Sequence, residues 1–506
     1  MASRTHNFVR GLGAGYFATV INIAYTAASI PLALHYLGKE QFGLWALAQQ
    51  ITGYLILLDL GVSSAVSRFI ADHKDDVNGG SYGNLLLAGA IVFAIQGFLI
   101  AIVGVAFSFS APLLFAVPEH LAGDFRNVLI IITSLAGLSV AFRTLGAPLW
   151  AFQRIDISYG LGSFTLLTSF AALWAGFHLG WGVYSFAFAG IPAAILCPII
   201  TFLICWKNGF YPSSDHWGRP NLLLFRKIFS FGQDVVWVSL GSQLVNASQI
   251  MILSRAVGLN AAATFAIGTK LFTMGQQLTG RIIESSAPGL TEMFVRGDTA
   301  RFNLRFSNII SITAFLATLG AAGLIVANTQ FVSFWSSGTV RWNLSLDGLL
   351  AGLLISTSIT RCLITVFGLM LGYRPVRHIY LLEGFVFLAV AIPAAAHYGI
   401  MGVLEASLIV HLTVTGTLSF CAVRKVLGLA KTIIRPLLAA TAIAVSAFIL
   451  FFALGKMGFS QNSMLFWGGI VISLSTISGW FCVLSASLRA DCLAKLGSLT
   501  RRSESL

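Results

Sequence analysis

Apolar runs of about 20 residues recur along the whole chain, and this repetition constrains the fold more than any other feature. An apolar helix of that length crosses a hydrocarbon core of about 30 Å. Only 10% of the 506 residues are charged, against about 25% in soluble globular proteins. The sequence therefore predicts an all-α integral membrane protein with about fourteen transmembrane helices, at residues 11–36, 43–66, 84–109, 127–150, 158–178, 181–205, 229–253, 261–286, 308–327, 347–371, 379–397, 400–422, 437–455 and 465–486.

The distribution of basic residues predicts the orientation of these helices. With a cytoplasmic N-terminus, 22 of the 31 Lys and Arg residues fall in cytoplasmic segments, 5 in external segments and 4 within spans. Because cytoplasmic loops carry an excess of Lys and Arg, we expect both termini in the cytoplasm. The net charge of +13 then reflects topology, and no nucleic-acid partner is expected.

The longest interior break between apolar runs predicts a boundary between two halves. It contains the polar, turn-rich sequence KNGFYPSSDHWGRP, which is typical of a linker. We expect a six-helix bundle at residues 1–206, a cytoplasmic linker at 207–228, a second six-helix bundle at 229–425, and two additional helices with a cytoplasmic tail at 426–506. Six spans return the chain to the same side, so the two bundles are expected to be pseudo-symmetric around a central cavity.

Several classes of chemistry have no motif in this sequence. The six cysteines lie in or beside apolar runs without the paired spacing of a disulfide framework or a metal site. No Walker A loop, HExxH helix or GxSxG turn is present. The N-terminal MASRTHNFVR runs into the first span with no cleavage site of a leader peptide. We expect no catalytic residue, no metal and no cofactor.

The segment from Leu37 to Ala71 resembles a known family. Its sequence, LGKEQFGLWALAQQITGYLILLDLGVSSAVSRFIA, is similar to the second transmembrane helix of bacterial polysaccharide-export flippases, which belong to the multidrug/oligosaccharidyl-lipid/polysaccharide exporter superfamily. A second segment, from Gly146 to Ser158, has the sequence GAPLWAFQRIDIS and shows a weaker similarity to the same family. The resemblance implies a transport core of twelve helices with an extra pair. It also implies a place in the bacterial cytoplasmic (inner) membrane and a role in the biosynthesis of surface polysaccharide, whether lipopolysaccharide or exopolysaccharide.

Charged residues inside the predicted spans are the candidate functional residues. A charge at the centre of a membrane costs roughly 2.5 to 3.5 kcal/mol on insertion scales, so these groups should face protein or water. We expect four cations to line the cavity and to bind a diphosphate: Arg143, Lys270, Arg281 and Arg361. Three carboxylates are candidates for ion coupling or for structural pairing: Asp59, Asp234 and Glu284. Arg281 with Glu284, and Arg143 with Asp59, are alternative ion pairs.

Neutral polar residues in the spans have two interpretations. Gln49, Gln50, Asn246 and Gln276 could hydrogen-bond sugar hydroxyls, as could Gln243, Gln249 and Gln277, although interhelical packing is the more usual role of such side chains. Glu383 and Glu405 are expected near the two membrane faces with a structural role, and His411 as a packed polar residue.

Taken together, the cations and the resemblance favour a flippase. It would move an oligosaccharide on an isoprenoid diphosphate carrier from the inner to the outer leaflet, with membrane lipids around it and a polysaccharide polymerase and glycosyltransferases as partners. A lipid II flippase is a close variant of this hypothesis. A cation-coupled multidrug antiporter is the first alternative, although the first span has no carboxylate. A membrane-embedded polymerase or ligase is the second, although the external connectors are short.

Overall fold

A computed structural model describes residues 2–55, 57, 62–152, 154–427, 430–457, 461–485 and 488–490. The described residues are almost entirely helical and contain no strand, so the predicted all-α class is confirmed. The chain separates into two compact units, Met1–Ala263 and Thr264–Leu506. The bundle boundaries expected from the sequence stay a prediction.

The first unit contains eleven helices and the start of a twelfth within the described residues. Small or kinking residues interrupt several apolar runs, so one membrane crossing is often built from consecutive helices. The helices are α1 (Ala2–Tyr36), α2 (Lys39–Leu55), α3 (Val62–Asp72), α4 (Ser81–Leu114), α5 (Glu119–Ala141), α6 (Ala147–Ala151), α7 (Ile155–His178), α8 (Tyr184–Phe188), α9 (Cys197–Lys207), α10 (Leu222–Asn246), α11 (Ser248–Ala256) and α12 (Leu259–Gly268), with 3-10 turns at Arg143–Gly146 and Ser214–His216 and a π-helical turn at Pro192–Leu196.

The second unit continues from the end of α12. Its helices are α13 (Lys270–Val295), α14 (Thr299–Gly323), α15 (Thr329–Trp335), α16 (Leu344–Leu371), α17 (Tyr373–Val410), α18 (Thr417–Leu427), α19 (Ala430–Lys456) and α20 (Gln461–Cys482), with π-helical turns at Leu324–Asn328 and His411–Gly416. Helix α17 contains a break at Gly399, whose φ of 58° and ψ of −131° are not helical. The C-terminal pair α19 and α20 packs against α14.

Ten helical stretches in the described part of the chain are long and apolar enough to span a membrane. One of them, 374–425, has 52 residues, and at 1.5 Å per residue it is more than twice as long as one crossing requires. The break at Gly399 divides it into two. The multi-pass membrane character is thus confirmed, whereas the count of fourteen spans stays a prediction.

Helices α4 and α5 pack through glycines. A Cβ atom on Gly137 would lie 2.4 Å from the carbonyl oxygen of Gly97, and one on Gly97 would lie 2.2 Å from that of Gly137. Small residues at such positions let two backbones approach closely, and van der Waals packing of this kind holds helices together in lipid. A buried core of α3, α4 and α6 residues adjoins this contact.

We expect Gly137→Val to separate α4 from α5, because the new side chain meets backbone atoms that cannot rotate away. Overpacking of this kind costs at least about 1 to 3 kcal/mol. The measurement is the amount of protein in the membrane and its thermal unfolding in detergent. Gly123→Val is the matched control on the same helix, since no atom lies within 4 Å of a Cβ at Gly123. Equal yields of the two variants would show that the glycine contact is not needed.

The polar segment between α9 and α10, expected as a linker, packs against the first unit. Tyr82 donates a hydrogen bond from its hydroxyl to the carbonyl oxygen of Phe210 at 2.9 Å, and Tyr211 donates to that of Leu145 at 2.8 Å. Burial raises the pKa of the Tyr211 hydroxyl, which widens the pH range over which this group stays a donor. The segment is therefore anchored on α4 and on the turn after α5, within the first unit.

Candidate functional site

Two arginines and one glutamate form an ionic cluster on α13 and α16. Nη2 of Arg361 lies 2.6 Å from Oε1 of Glu284, and Nη1 of Arg281 lies 3.4 Å from Oε2 of the same carboxylate. The three side chains are 47%, 60% and 45% exposed for Arg361, Arg281 and Glu284 respectively. Two cations thus share one anion, and the arginine–glutamate cluster carries a formal charge of +1.

Gly280 explains how Arg361 reaches across to α13. A Cβ atom at Gly280 would lie 2.6 Å from Nη1 of Arg361, so a larger residue there would compete with the guanidinium for space. The absence of a side chain lets the guanidinium lie against the backbone of α13. The arginine–glutamate cluster therefore depends on Gly280, an uncharged residue that the pattern of charges does not identify.

A row of polar contacts extends the cluster along the same two helices. Gln276 donates from Nε2 to the hydroxyl oxygen of Thr357 at 3.1 Å, and the hydroxyls of Thr279 and Ser358 lie 2.9 Å apart. Residues 276, 280 and 284 are spaced i, i+4, i+8, which places them on one face of α13. Gln276 is thus close to the cluster, but its amide is used in packing against α16.

Lys270 lies apart from this cluster. It begins α13, eleven residues before Arg281, which corresponds to about 16 Å along a helix. Its side chain is half-buried, and no hydrogen bond or ion pair joins it to another residue in the described part of the chain. The structure therefore does not bring Lys270 to the two arginines of its own unit.

Arg143 belongs to the first unit, in the 3-10 turn after α5. Nη1 donates to the hydroxyl oxygen of Ser63 at 2.7 Å, and its guanidinium carbon lies 6.0 Å from the centre of the Phe93 ring. Asp59, its expected alternative partner, lies outside the described residues. Asp234 lies half-buried on α10 of the same unit.

The neutral polar candidates of the first unit are divided between packing and exposure. Gln243 donates from Nε2 to the carbonyl oxygen of Gly53 at 3.2 Å, which joins α10 to α2. Asn246 donates to the carbonyl oxygen of Ser242 on its own helix at 2.9 Å. Gln49 is exposed and Gln50 is half-buried on α2.

Glu383 and His411, for which the sequence predicts only a structural role, form a buried pair in the second unit. Nδ1 of His411 lies 2.7 Å from Oε1 of Glu383, and the two side chains are 12% and 5% exposed. Glu383 is expected from the sequence to be solvated near the membrane interface, and in the structure it is enclosed. The hydropathy pattern indicates only that His411 lies within a span, and does not reveal which residue it contacts.

Asp347 is a buried carboxylate that the sequence did not single out. It is fully buried at the start of α16, and it accepts hydrogen bonds from Nε1 of Trp342 at 2.7 Å, Nδ2 of Asn328 at 2.6 Å and the hydroxyl of Thr329 at 2.5 Å. Nδ2 of Asn328 also donates to the carbonyl oxygen of Gly268 at 3.0 Å. The carboxylate thus joins the turn before α15 to the start of α16, and Asn328 links this junction to the end of α12.

The described residues include no group of three or more His, Cys, Asp or Glu side chains that could hold a metal ion. The arginine–glutamate cluster of the second unit offers ionic and hydrogen-bonding groups. Its guanidinium groups can accept an anion in place of Glu284, since arginine binds carboxylate and phosphate oxygens in the same forked geometry.

Comparison with known proteins gives the family. A family model described as "Polysaccharide biosynthesis protein" matches residues 13–294, which is more than half of the 506 residues. The chain belongs to this polysaccharide biosynthesis family. The resemblance found in residues 37–71 is thereby confirmed. A relative from Bacillus subtilis (strain 168), named "Uncharacterized membrane protein EpsK", is 22% identical over 409 residues, which cover 78% of this chain and 79% of that protein.

Several solved structures of transporters share the fold of this chain. The lipid II flippase MurJ in an inward closed conformation has a TM-score of 0.70 at 14% identity, with 96% of this chain and 100% of that chain covered. A multidrug resistance MATE family transporter of the MOP superfamily, inward-facing, has a TM-score of 0.64 at 14% identity, covering 80% and 94%. A MOP superfamily transporter from Pyrococcus furiosus scores 0.65 at 14% identity, covering 84% and 96%. This member of the polysaccharide biosynthesis family therefore has the fold of MOP superfamily transporters.

Proposed function

We propose that this protein is a flippase that moves an isoprenoid-diphosphate-linked oligosaccharide from the inner to the outer leaflet of the bacterial cytoplasmic membrane. The observation that carries the proposal is the arginine–glutamate cluster on α13 and α16. A charged group exposed to acyl chains is costly, so a half-exposed cluster of three charges belongs on a water-accessible face. We infer that this face of the second unit receives the diphosphate.

The cluster has the composition expected of a site that holds and then releases an anion. Glu284 neutralises one of two arginines while no ligand is bound, which lowers the cost of keeping both cations at membrane depth. A diphosphate brings more negative charge and more acceptor oxygens than one carboxylate, so it can displace Glu284 from Arg361. Glu284 can return when the ligand leaves, because the ion pair is only half-buried.

A lipid-linked oligosaccharide as substrate implies partner enzymes on both sides of the transport step. Enzymes that build the lipid-linked oligosaccharide, glycosyltransferases, act before this protein, and a polymerase that consumes it acts after. The distribution of Lys and Arg supports a cytoplasmic location for both termini. Membrane lipids surround the helices, and the isoprenoid tail remains among them while the diphosphate and sugars cross.

A cation-coupled multidrug antiporter is the second candidate, because the fold is shared with a MATE family transporter. The charge of the cluster argues against it. A cationic drug would meet two guanidinium groups and one carboxylate, and like charges repel strongly where water is scarce. The first helix, which begins the first unit, also has no Asp or Glu in its sequence.

Transport by the purified protein in liposomes distinguishes the two candidates. The substrate is an isoprenoid-diphosphate oligosaccharide whose terminal sugar is a galactose, and external galactose oxidase reports the fraction on the outer leaflet. We expect the protein to raise the rate at which the glycolipid reaches the outer leaflet at least about tenfold over empty liposomes. A tenfold increase corresponds to a reduction of the activation free energy by about 1.4 kcal/mol. Transport of a cationic dye such as ethidium without movement of the glycolipid would favour the antiporter.

A further inference from the structure

One end of the second unit is strongly basic, and anion binding at the arginine–glutamate cluster does not use it. It consists of residues 292–305, 374–378 and 424–435, which we call the basic end. These segments contain nine Lys and Arg residues and two Asp and Glu residues. The distribution of Lys and Arg along the whole chain predicts that this end faces the cytoplasm.

Antiparallel packing of α14 and α16 brings the first two segments together. Nδ2 of Asn328, after the end of α14, donates to Oδ1 of Asp347 on α16 at 2.6 Å. Sγ of Cys362 lies 3.6 Å from the hydroxyl oxygen of Thr313. A step of 15 residues back along the chain from Asn328 thus corresponds to a step of 15 residues forward along α16. The start of α14 therefore lies near the end of α16, where α17 begins.

Helices α18 and α19 bring the third segment to the same end. A Cβ atom on Gly348, near the start of α16, would lie 2.8 Å from the ring of Phe448 in the second half of α19, so α19 begins towards the end of α16. Two residues separate the end of α18 from the start of α19. The last turn of α18 contains Arg424 and Lys425. The three segments therefore form one basic surface.

The two acidic residues of the basic end are already paired. Glu292 lies 2.6 Å from Nη2 of Arg296, and Asp298 lies 3.4 Å from Nε of Arg301. Five other basic side chains of this end are exposed and form no ion pair within the described part of the chain: Arg305, Arg374, Arg424, Lys425 and Arg435. The surface therefore has an excess of positive charge that the protein itself does not neutralise.

Membrane topology alone does not account for this excess. The orientation of a membrane protein depends on Lys and Arg, and Asp and Glu contribute little to it. In the first unit, the segments expected in the cytoplasm, 4–10, 68–76, 154–156 and 207–227, also contain nine Lys and Arg residues, but they contain five Asp and Glu residues. The second unit has as many basic residues with fewer acids, and this shortage of acids suits it to binding anions.

Exposed apolar side chains adjoin the cations of the basic end. Leu304, next to Arg305 on α14, is 59% exposed. Ile434 and Leu438, on either side of Arg435 on α19, are 39% and 63% exposed. A soluble acidic partner has nothing to cover these apolar side chains, whereas a phospholipid brings acyl chains together with its phosphate. An arginine among apolar side chains at a membrane surface can reach the phosphate level with its long side chain.

We propose that the basic end of the second unit binds the phosphate groups of anionic phospholipids, such as phosphatidylglycerol, in the cytoplasmic leaflet. Arginine offers paired donors that match phosphate oxygens, and clusters of four to eight Lys and Arg residues beside a membrane are typical of sites for anionic lipids. Lipids bound here anchor the starts of α14 and α19 at the membrane surface. The proposal does not rest on the transported substrate, since none of these residues belongs to the arginine–glutamate cluster.

Native mass spectrometry of the full-length protein, released from detergent with added phosphatidylglycerol, tests the site because it counts bound lipids singly. One variant combines Arg305→Gln, Arg424→Gln and Arg435→Gln. The matched control removes the same charge from exposed positions of the first unit and combines Lys207→Gln, Arg219→Gln and Arg226→Gln. Each variant competes with the wild type in one sample. We expect the second-unit variant to bind phosphatidylglycerol at least about fivefold less than the wild type, the contribution of about one basic residue near an anionic surface.

The controls separate a lipid site from general attraction. The first-unit variant should bind phosphatidylglycerol as the wild type does, and all three proteins should bind zwitterionic phosphatidylcholine equally. A variant with lysine at positions 305, 424 and 435 keeps the charge and should retain the binding. Equal binding by the wild type and the second-unit variant would overturn the proposal, and so would equal losses in both glutamine variants. Displacement of phosphatidylglycerol by a much lower concentration of farnesyl diphosphate, a short isoprenoid diphosphate, would assign this end to the transported lipid instead and would also overturn it.

Discussion

Arg361→Ala is expected to reduce the transport of isoprenoid-diphosphate oligosaccharide by about 10-fold or more, because a hydrogen bond to a charged group contributes about 1.5 to 3 kcal/mol. Arg361 is the residue of the cluster that comes closest to Glu284, at 2.6 Å, and it is the one that an incoming diphosphate would engage. Arg361→Lys should give an intermediate rate, since lysine keeps the charge and loses the forked geometry.

The measurement combines the liposome assay with the amount of surface polysaccharide in cells that depend on this protein. Arg301→Ala is the control: Arg301 forms an ion pair with Asp298 at the start of α14 and is 79% exposed. It should leave transport and membrane abundance unchanged. Normal transport by Arg361→Ala at wild-type abundance would remove the main support for the diphosphate site.

The variant Glu284→Gln separates two roles that the carboxylate could have. If Glu284 competes with the ligand for Arg361, its neutralisation should raise the affinity for farnesyl diphosphate several-fold, because the amide is a weaker partner of a guanidinium than a carboxylate. If Glu284 only holds Arg361 in position, affinity should fall as it does in Arg361→Ala. Calorimetry on the two variants at one pH decides between these outcomes.

The sequence could predict those contacts of the site that join residues close together in the chain. Arg281 and Glu284 are three residues apart, and helical geometry alone predicts their contact. The contact of Glu284 with Arg361 joins residues 77 positions apart, and hydropathy carries no information about which faces of α13 and α16 meet. For the same reason the pairing of Glu383 with His411, 28 residues apart, was not predicted.

The fold class could be read from the sequence because the length of an apolar run is itself a local property. Every helical stretch that is long and apolar enough to span a membrane overlaps a predicted span. The sequence did not predict where the crossings are interrupted, such as the turn between α12 and α13 at Thr269. The expected convergence of Arg143 with Lys270 and the two other arginines stays a prediction, since Arg143 lies in the first unit and the other three in the second.

Asp347 shows why a buried carboxylate cannot always be recognised from the sequence. Its position in the first turn of α16 is one where carboxylates are usual, because they compensate the positive end of the helix and remain hydrated. In the structure the side chain is fully buried. Its partners, Asn328 and Trp342, lie 19 and 5 residues away in sequence, and only the folded chain brings all three together.

Asp347→Ala should be among the most destabilising single substitutions in the second unit. It leaves the Trp342 indole N–H, the Thr329 hydroxyl and the Asn328 amide without the acceptor that the fully buried Asp347 provides. Each unpaired buried donor costs about 1 to 3 kcal/mol, so the sum approaches the whole free energy of unfolding of a typical domain, about 5 to 15 kcal/mol. We expect little folded protein in the membrane.

Asp347→Asn tests whether the acceptor or the charge is what stabilises this junction. The amide oxygen can still accept from one donor, and its NH₂ group must face at least one of the others, so abundance should be reduced but higher than for the alanine variant. Asp215→Ala, in an exposed turn of the first unit, is the control and should behave as wild type. Fluorescence-detected size-exclusion of detergent extracts, with thermal unfolding of the soluble fraction, gives the ranking. Wild-type yield and stability for Asp347→Ala would mean that α12, the Asn328 turn and α16 are held together by apolar packing alone, and that the carboxylate is kept in this buried place for another task.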